Sequence, residues 1–181
     1  MIFKRSDVYT CRVDNPWLDL DALVGDLVIT PVLDASLPLR THLLHADPET
    51  RASCLLVQFP VGWKRTLGTY ACAEHAVVLE GEVILDGQQW GAGQGFVVPA
   101  GVTRQETYAP QGALAVAWFG GAPRWTSGGT PLAEPSCAVW NGDRPTGVCD
   151  EVDAAQRRWR HNMEPVQQSG AEIFVYQWPS P

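Results

Sequence analysis

The sequence predicts an all-β domain, a sandwich or barrel of short strands, with a short C-terminal helix and extra terminal strands. Three observations predict it. Apolar segments of four to ten residues recur with a turn signal every ten residues or so. The fourteen prolines and seventeen glycines are spread along the whole chain, as many tight turns require. No long stretch repeats at helical spacing before residue 150.

The elements follow in order. Residues 1–36 are a weakly periodic lead-in, with a short helix expected over Leu18 to Val24 and a strand over Asp26 to Pro31. Leu37 to Ala46 is a strand, and Asp47-Pro48-Glu49-Thr50 a turn, since Asp and Pro suit its first two positions. Ala52 to Phe59 is a strand ended by Pro60-Val61-Gly62. Tyr70 to Leu79 is another, with a bend at Glu80-Gly81 and a continuation over Glu82 to Leu85. Asp86-Gly87 signals a hairpin. Gly91 to Gly95 is a loop before the buried strand Phe96-Val97-Val98, and Thr103 to Tyr108 and Ala113 to Phe119 complete the barrel. Gly120 to Gly147 is rich in Gly, Pro, Ser and Thr and is expected to wrap over the surface. Asp150 to Met163 is expected to be a helix, because Val152, Ala155 and Trp159 recur at helical spacing, with Pro165 as its stop. Ala171 to Trp178 alternates as a strand and needs a sheet edge, its own or a partner's.

At 181 residues the chain is one domain, with a barrel core at about 37–120 and an extension over 121–181. The formal net charge of −7, with only 18% charged residues, argues against a nucleic-acid partner. No apolar run approaches the roughly 18 residues of a membrane span. Met1-Ile2-Phe3-Lys4-Arg5-Ser6-Asp7 lacks an apolar signal core, so a cytoplasmic location is expected. Five scattered cysteines form no C-x-x-C pair and read as free thiols. Most of the eight tryptophans are expected in core or interface packing.

Glu74 is followed after six residues by Gly81, and Gly93-x5-Pro99-x-Gly101 lies just downstream. These spacings resemble the two signature motifs of the cupin family. Leu55 to Trp63 further resembles the corresponding stretch of the ChrR-like anti-sigma cupins. The resemblance implies a cupin barrel, a jelly-roll-type double sheet closed on itself, and a homodimer. It also implies a metal centre of three His and one Glu, but here the His positions fall on Gly68, Tyr70 and Arg104, and the Asn that ends the second motif on Tyr108. Only Glu74 remains.

If Glu74 points inward, as the resemblance implies, then Tyr70 and Cys72 share its face, and Arg104 points inward with Glu106 and Tyr108. His75 points the opposite way. His42 and His45, three residues apart on a strand, are expected on opposite faces, and His161 is expected to be exposed on its helix. Arg cannot ligate a cation, and it binds carboxylates and enolates through parallel hydrogen bonds. The expected catalytic residues are Glu74 as acid/base, Arg104 as the orienting cation and Tyr70 as proton donor. Cys72, Glu106, Tyr108 and Trp63 are expected to contact substrate. No metal or other cofactor is expected.

The function expected is a metal-independent lyase, isomerase or cyclase acting on a small molecule, of the kind found in secondary metabolism. A non-catalytic sensor or binding cupin is one alternative. A metal-dependent dioxygenase or hydrolase using Cys72, Glu74 and Glu106 is another. A Glu–Arg pair that merely fills a lost metal site is the structural alternative, and a small apolar wall residue is the plain role for Cys72.

Overall fold

The computed structural model describes residues 17–131, 136–142, 149–162 and 173–179. The N-terminal segment 1–16, the expected helix stop at Pro165 and the start of the last strand at Ala171 lie outside them. The strands are β1 (Leu18–Asp19), β2 (Val28–Thr30), β3 (Leu39–Ala46), β4 (Ser53–Phe59), β5 (Trp63–Arg65), β6 (Gly68–Tyr70), β7 (Glu74–Leu85) and β8 (Gln88–Gly91). They continue as β9 (Gly95–Val98), β10 (Thr107–Ala109), β11 (Ala113–Phe119), β12 (Trp125–Ser127), β13 (Ala138–Val139), β14 (Cys149–Asp153), β15 (Arg158–Asn162) and β16 (Ile173–Gln177).

The main sheet runs β13-β9-β7-β11-β4-β3-β2, and β8 and β10 attach to the second half of β7, with β5 beyond β10. The twelve residues of β7 thus turn a corner of the barrel, pairing with β9 and β11 first and with β8 and β10 after. Glu80-Gly81 lies beside a bulge in this strand: Leu114 opposes Glu80, but Ala115 opposes Val78. Gly81 has φ +72°, and a Cβ there would lie 2.2 Å from the Gly112 carbonyl oxygen. At the hairpin, Asp86 and Gly87 both have positive φ, as a type I′ turn needs.

A second sheet, β1-β15-β14-β16, covers the outer face of the barrel. Two cores result, and β7 and β11 feed both by simple alternation. Ala76, Val78, Ala117 and Phe119 face the barrel interior, whereas Val77, Leu79, Val116 and Trp118 face the second sheet. This explains why β11 is buried along its whole length. Trp118, Trp140, Trp159 and Trp178 fill the outer core, and Trp90 the inner one.

Two expectations need correction, and a third is narrowed. Residues 150–162 form the β14–β15 hairpin rather than a helix. Val152 opposes Trp159, Ala155 is exposed in the turn, and Asp153 Oδ1 accepts the Gln156 N–H at 3.0 Å. Cross-strand pairs reinforce the hairpin: Asp150 with His161, Glu151 with Arg160 and Asp153 with Arg158. The seven-residue spacing that suggested a helix is a cross-strand contact. The early helix is a six-residue 3-10 turn, Asp21–Asp26, preceded by β1, with Asp19 Oδ1 accepting the Asp21 N–H at 2.9 Å. The last strand takes its edge from β14 of the same chain.

His161 is also corrected: it is 3% exposed, and its Nδ1 lies 2.6 Å from Asp150 Oδ1. Its ring stacks on that of His45 at 4.0 Å. His42 and His45 leave β3 on one face, because a bulge sets Leu43 against Leu55 but His45 against Cys54.

Candidate functional site

The barrel encloses a cavity of about 590 Å³, within the range of small-molecule sites. Its walls are mostly apolar: Leu39, Leu55, Val57, Phe59, Val83, Leu85, Phe96, Ala117 and Phe119, with Trp63 from β5 and Trp125 from β12. The charged side chains lining it are Arg65, Glu74, Arg104 and Arg124, the last exposed at the rim.

Glu74 opens β7 on the interior face, opposite Val98 and Phe119. Arg104 is placed by an isolated bridge with Gly68, whose N–H and C=O exchange bonds with it at 3.1 and 2.9 Å. Arg104 Nη1 donates to Glu74 Oε2 at 2.6 Å, and the two side chains are 5% and 13% exposed. Tyr70 lies beside them, with the Arg104 guanidinium 5.1 Å from its ring centre. Its hydroxyl accepts a hydrogen bond from Arg65 Nη1 at 2.5 Å. Burial, and then the charge of Glu74, raise the Tyr70 pKa above that of an ordinary phenol. Tyr70 therefore keeps its proton and can donate it. Trp63 lines the cavity and donates Nε1–H to the Leu37 carbonyl at 3.0 Å.

Three expected site residues lie elsewhere. The side chain of Glu106 is 55% exposed and pairs with Lys64 at 3.5 Å, and Tyr108 packs under the same Lys64 ammonium. Arg104 is not in a regular strand. β10 begins at Thr107, and it is Thr107 that faces the cavity, so counting by twos from Arg104 gives the wrong parity. Cys72 sits half-buried in the bend before β7 and is not among the cavity-lining residues. Burial first, then Glu74, push its thiol pKa up, the reverse of activation. His75 points away, against Trp140 and Tyr176.

Two residues went unread. Arg65 is 5% exposed and stacks on Trp125, its guanidinium carbon 3.5 Å from the ring centre. Alternation along Trp63-Lys64-Arg65 carries its signal, since an inward Trp63 implies an inward Arg65. Trp125 had none, because β12 lies in a segment whose composition reads as loop.

A cupin metal does not fit these residues. A Cβ on Gly68 would lie 2.3 Å from the Trp125 ring, so the indole fills the space of a first ligand. Among the described residues the only carboxylate lining the cavity already binds a guanidinium, and Arg104 places a fixed cation at another ligand position. Among the described residues no three His, Cys, Asp or Glu side chains gather to hold an ion.

No family model and no curated protein matches the sequence. Solved structures do match. One is a provisionally assigned acetylacetone dioxygenase from Methylibium petroleiphilum: 16% identity, 77% of this chain and 94% of that one, TM-score 0.51. Another is a provisionally assigned dioxygenase from Nostoc punctiforme: 16% identity, 69% of this chain, TM-score 0.55. This chain spans only 46% of the latter's length. A cupin 2 conserved barrel domain protein from Rhodopseudomonas palustris aligns at 14% identity over 57% of this chain and 79% of that one, TM-score 0.43. The chain has the cupin fold. Identity at this level carries the fold and not the activity.

Proposed function

We propose that this cupin-fold chain is an enzyme that moves protons on a small organic molecule without a metal, a lyase, isomerase or cyclase of the kind secondary metabolism uses. The Glu74–Arg104 pair in the wall of an apolar cavity carries the reading. Glu74 takes a proton from carbon beside a carbonyl, and the electron pair moves to the carbonyl oxygen. Arg104 holds that oxygen as its charge develops. Tyr70, kept protonated by burial, donates its hydroxyl hydrogen to the same oxygen. The apolar walls exclude water and strengthen each of these interactions.

The test is proton exchange in heavy water. Small carbonyl compounds incubated with the protein are followed by NMR for loss of the hydrogen next to the carbonyl. Exchange that Glu74→Gln abolishes supports the reading, and exchange that survives this substitution removes Glu74 from the mechanism.

Two other readings remain. Binding without exchange would favour a non-catalytic sensor. A metal-dependent dioxygenase draws support from the names of the structural neighbours, but it needs ligands other than the expected Cys72, Glu74 and Glu106 set. For location we propose the cytoplasm; among the described residues no helix is long and apolar enough to cross a membrane. For a partner we propose a second copy. Edge strand β2 presents Val28 and Ile29 at 61% and 71% exposure, an apolar edge suited to pairing.

A further inference from the structure

Arg65 has no part in the proton transfer, yet among the described residues it is one of two guanidiniums buried at this cavity. Its described partners are all neutral. Nε donates to the Leu33 carbonyl at 3.0 Å, Nη1 donates to the Tyr70 hydroxyl at 2.5 Å, and the plane rests on Trp125. Among the described residues no carboxylate forms an ion pair with it. Asp34 feels its charge, but that carboxylate is on the solvent side and is engaged by the Trp125 indole N–H and the Ser127 hydroxyl. The second guanidinium, Arg104, is 4% exposed; its Nη1 is held by Glu74, but its buried Nε has no hydrogen-bond partner among the described residues.

Among the described residues, two buried cations therefore face one largely buried carboxylate. An unbalanced buried charge is costly and is kept where something neutralises it. The orphaned Arg104 N–H is a second, independent mark of a missing acceptor. Tyr70 lies between the two, its ring centre 4.9 Å from the Arg65 guanidinium and 5.1 Å from that of Arg104. The remaining walls include the aromatic side chains of Phe59, Trp63, Phe119 and Trp125.

The geometry points to Arg65 as the receptor for the carboxylate of a small monoanionic ligand with a planar, apolar body. The count of buried charge selects one negative charge rather than two. The aromatic lining selects the body, and Arg104 Nε–H donates to the ligand's second oxygen function. The inference rests on the proposed function in sharing its cavity and Glu74–Arg104 pair; it adds the substrate class, monocarboxylates.

Benzoate, benzamide and phthalate serve as probes, titrated against the full chain by calorimetry with tryptophan fluorescence as a second readout. Benzoate is expected to bind at least roughly tenfold more tightly than benzamide, which keeps the ring and loses the charge, and more tightly than the dianion phthalate. Arg65→Met is expected to remove that preference while leaving benzamide unchanged; Arg65→Lys keeps part of it. Equal affinity for benzoate and benzamide, or no saturable benzoate binding, overturns the inference, and this comparison needs no variant to fold. Unchanged benzoate affinity in folded Arg65→Met overturns it too. Glu74→Gln is expected to bind benzoate at least as well as the parent. Benzoate binding without proton exchange on any carbonyl acid supports this inference while sinking the acid/base reading, so the two fail separately.

Discussion

Arg104 Nη1 lies 2.6 Å from Glu74 Oε2, an ion pair almost wholly removed from solvent at the wall of an apolar cavity. Breaking such a pair strands a buried charge, whereas replacing both members removes the charge altogether. Glu74→Ala is therefore expected to cost about 3–5 kcal/mol of stability, and Glu74→Leu with Arg104→Met to be neutral or stabilising. Urea unfolding of the single and double variants measures this. Equal destabilisation by both would show that packing, rather than charge, dominates at this site.

Gly68 and the Trp125 indole compete for one space. Gly68→Ala is expected to destabilise the protein by about 1–3 kcal/mol, because the new Cβ meets the ring and the Thr126 carbonyl oxygen. Elemental analysis of the purified chain, before and after exposure to iron, zinc, manganese and nickel, is expected to find well under one ion per chain. One tightly held ion would reveal ligands outside the Glu74 cavity.

Stability should fall on mild acidification because of His45. Burial, and then the charge of His161, lower its pKa below the ordinary 6.5, while Asp150 and Asp47 oppose the shift. Between the lowered folded pKa and 6.5 the unfolded chain binds the extra proton, so this contribution is present above 6.5 and is lost as pH falls through that window. His45→Phe, which keeps a ring over His161, is expected to flatten this part of a thermal-unfolding profile. An unchanged slope would assign the acid sensitivity to other groups.

Cys72 is expected to alkylate more slowly near neutral pH than an unfolded cysteine, since its thiol pKa is raised. Cys54, fully buried and raised further, is expected to react only on unfolding. Mass spectrometry after timed iodoacetamide exposure reads both. Fast labelling of Cys72 would mean that its bend opens in solution.

Much of the fold was legible because strand signals are local. The alternation along β7, the Asp86-Gly87 hairpin and the span of β11 all follow from neighbouring residues, and the resemblance to the cupin motifs brought Glu74 and Arg104 to one site. Glu106 and Tyr108 were misplaced because Arg104 belongs to an isolated bridge, where side-chain parity does not propagate.

The sequence by itself determined an all-β chain of short strands, and its resemblance to the cupin motifs implied the inward Glu74 and an Arg where a metal ligand would stand. Only the tertiary structure decided the rest. Residues 150–162 became a hairpin because Asp150, Glu151 and Asp153 find His161, Arg160 and Arg158 across the strands, while Asp150 also accepts the Trp118 indole N–H at 2.8 Å. Trp125, more than fifty residues from Gly68 in sequence, fills the space above it, and Arg65 is left buried at the cavity without a described counter-charge. Such outcomes depend on which distant groups share a volume and must satisfy one another's charge and hydrogen bonds, and short-range periodicity does not encode that.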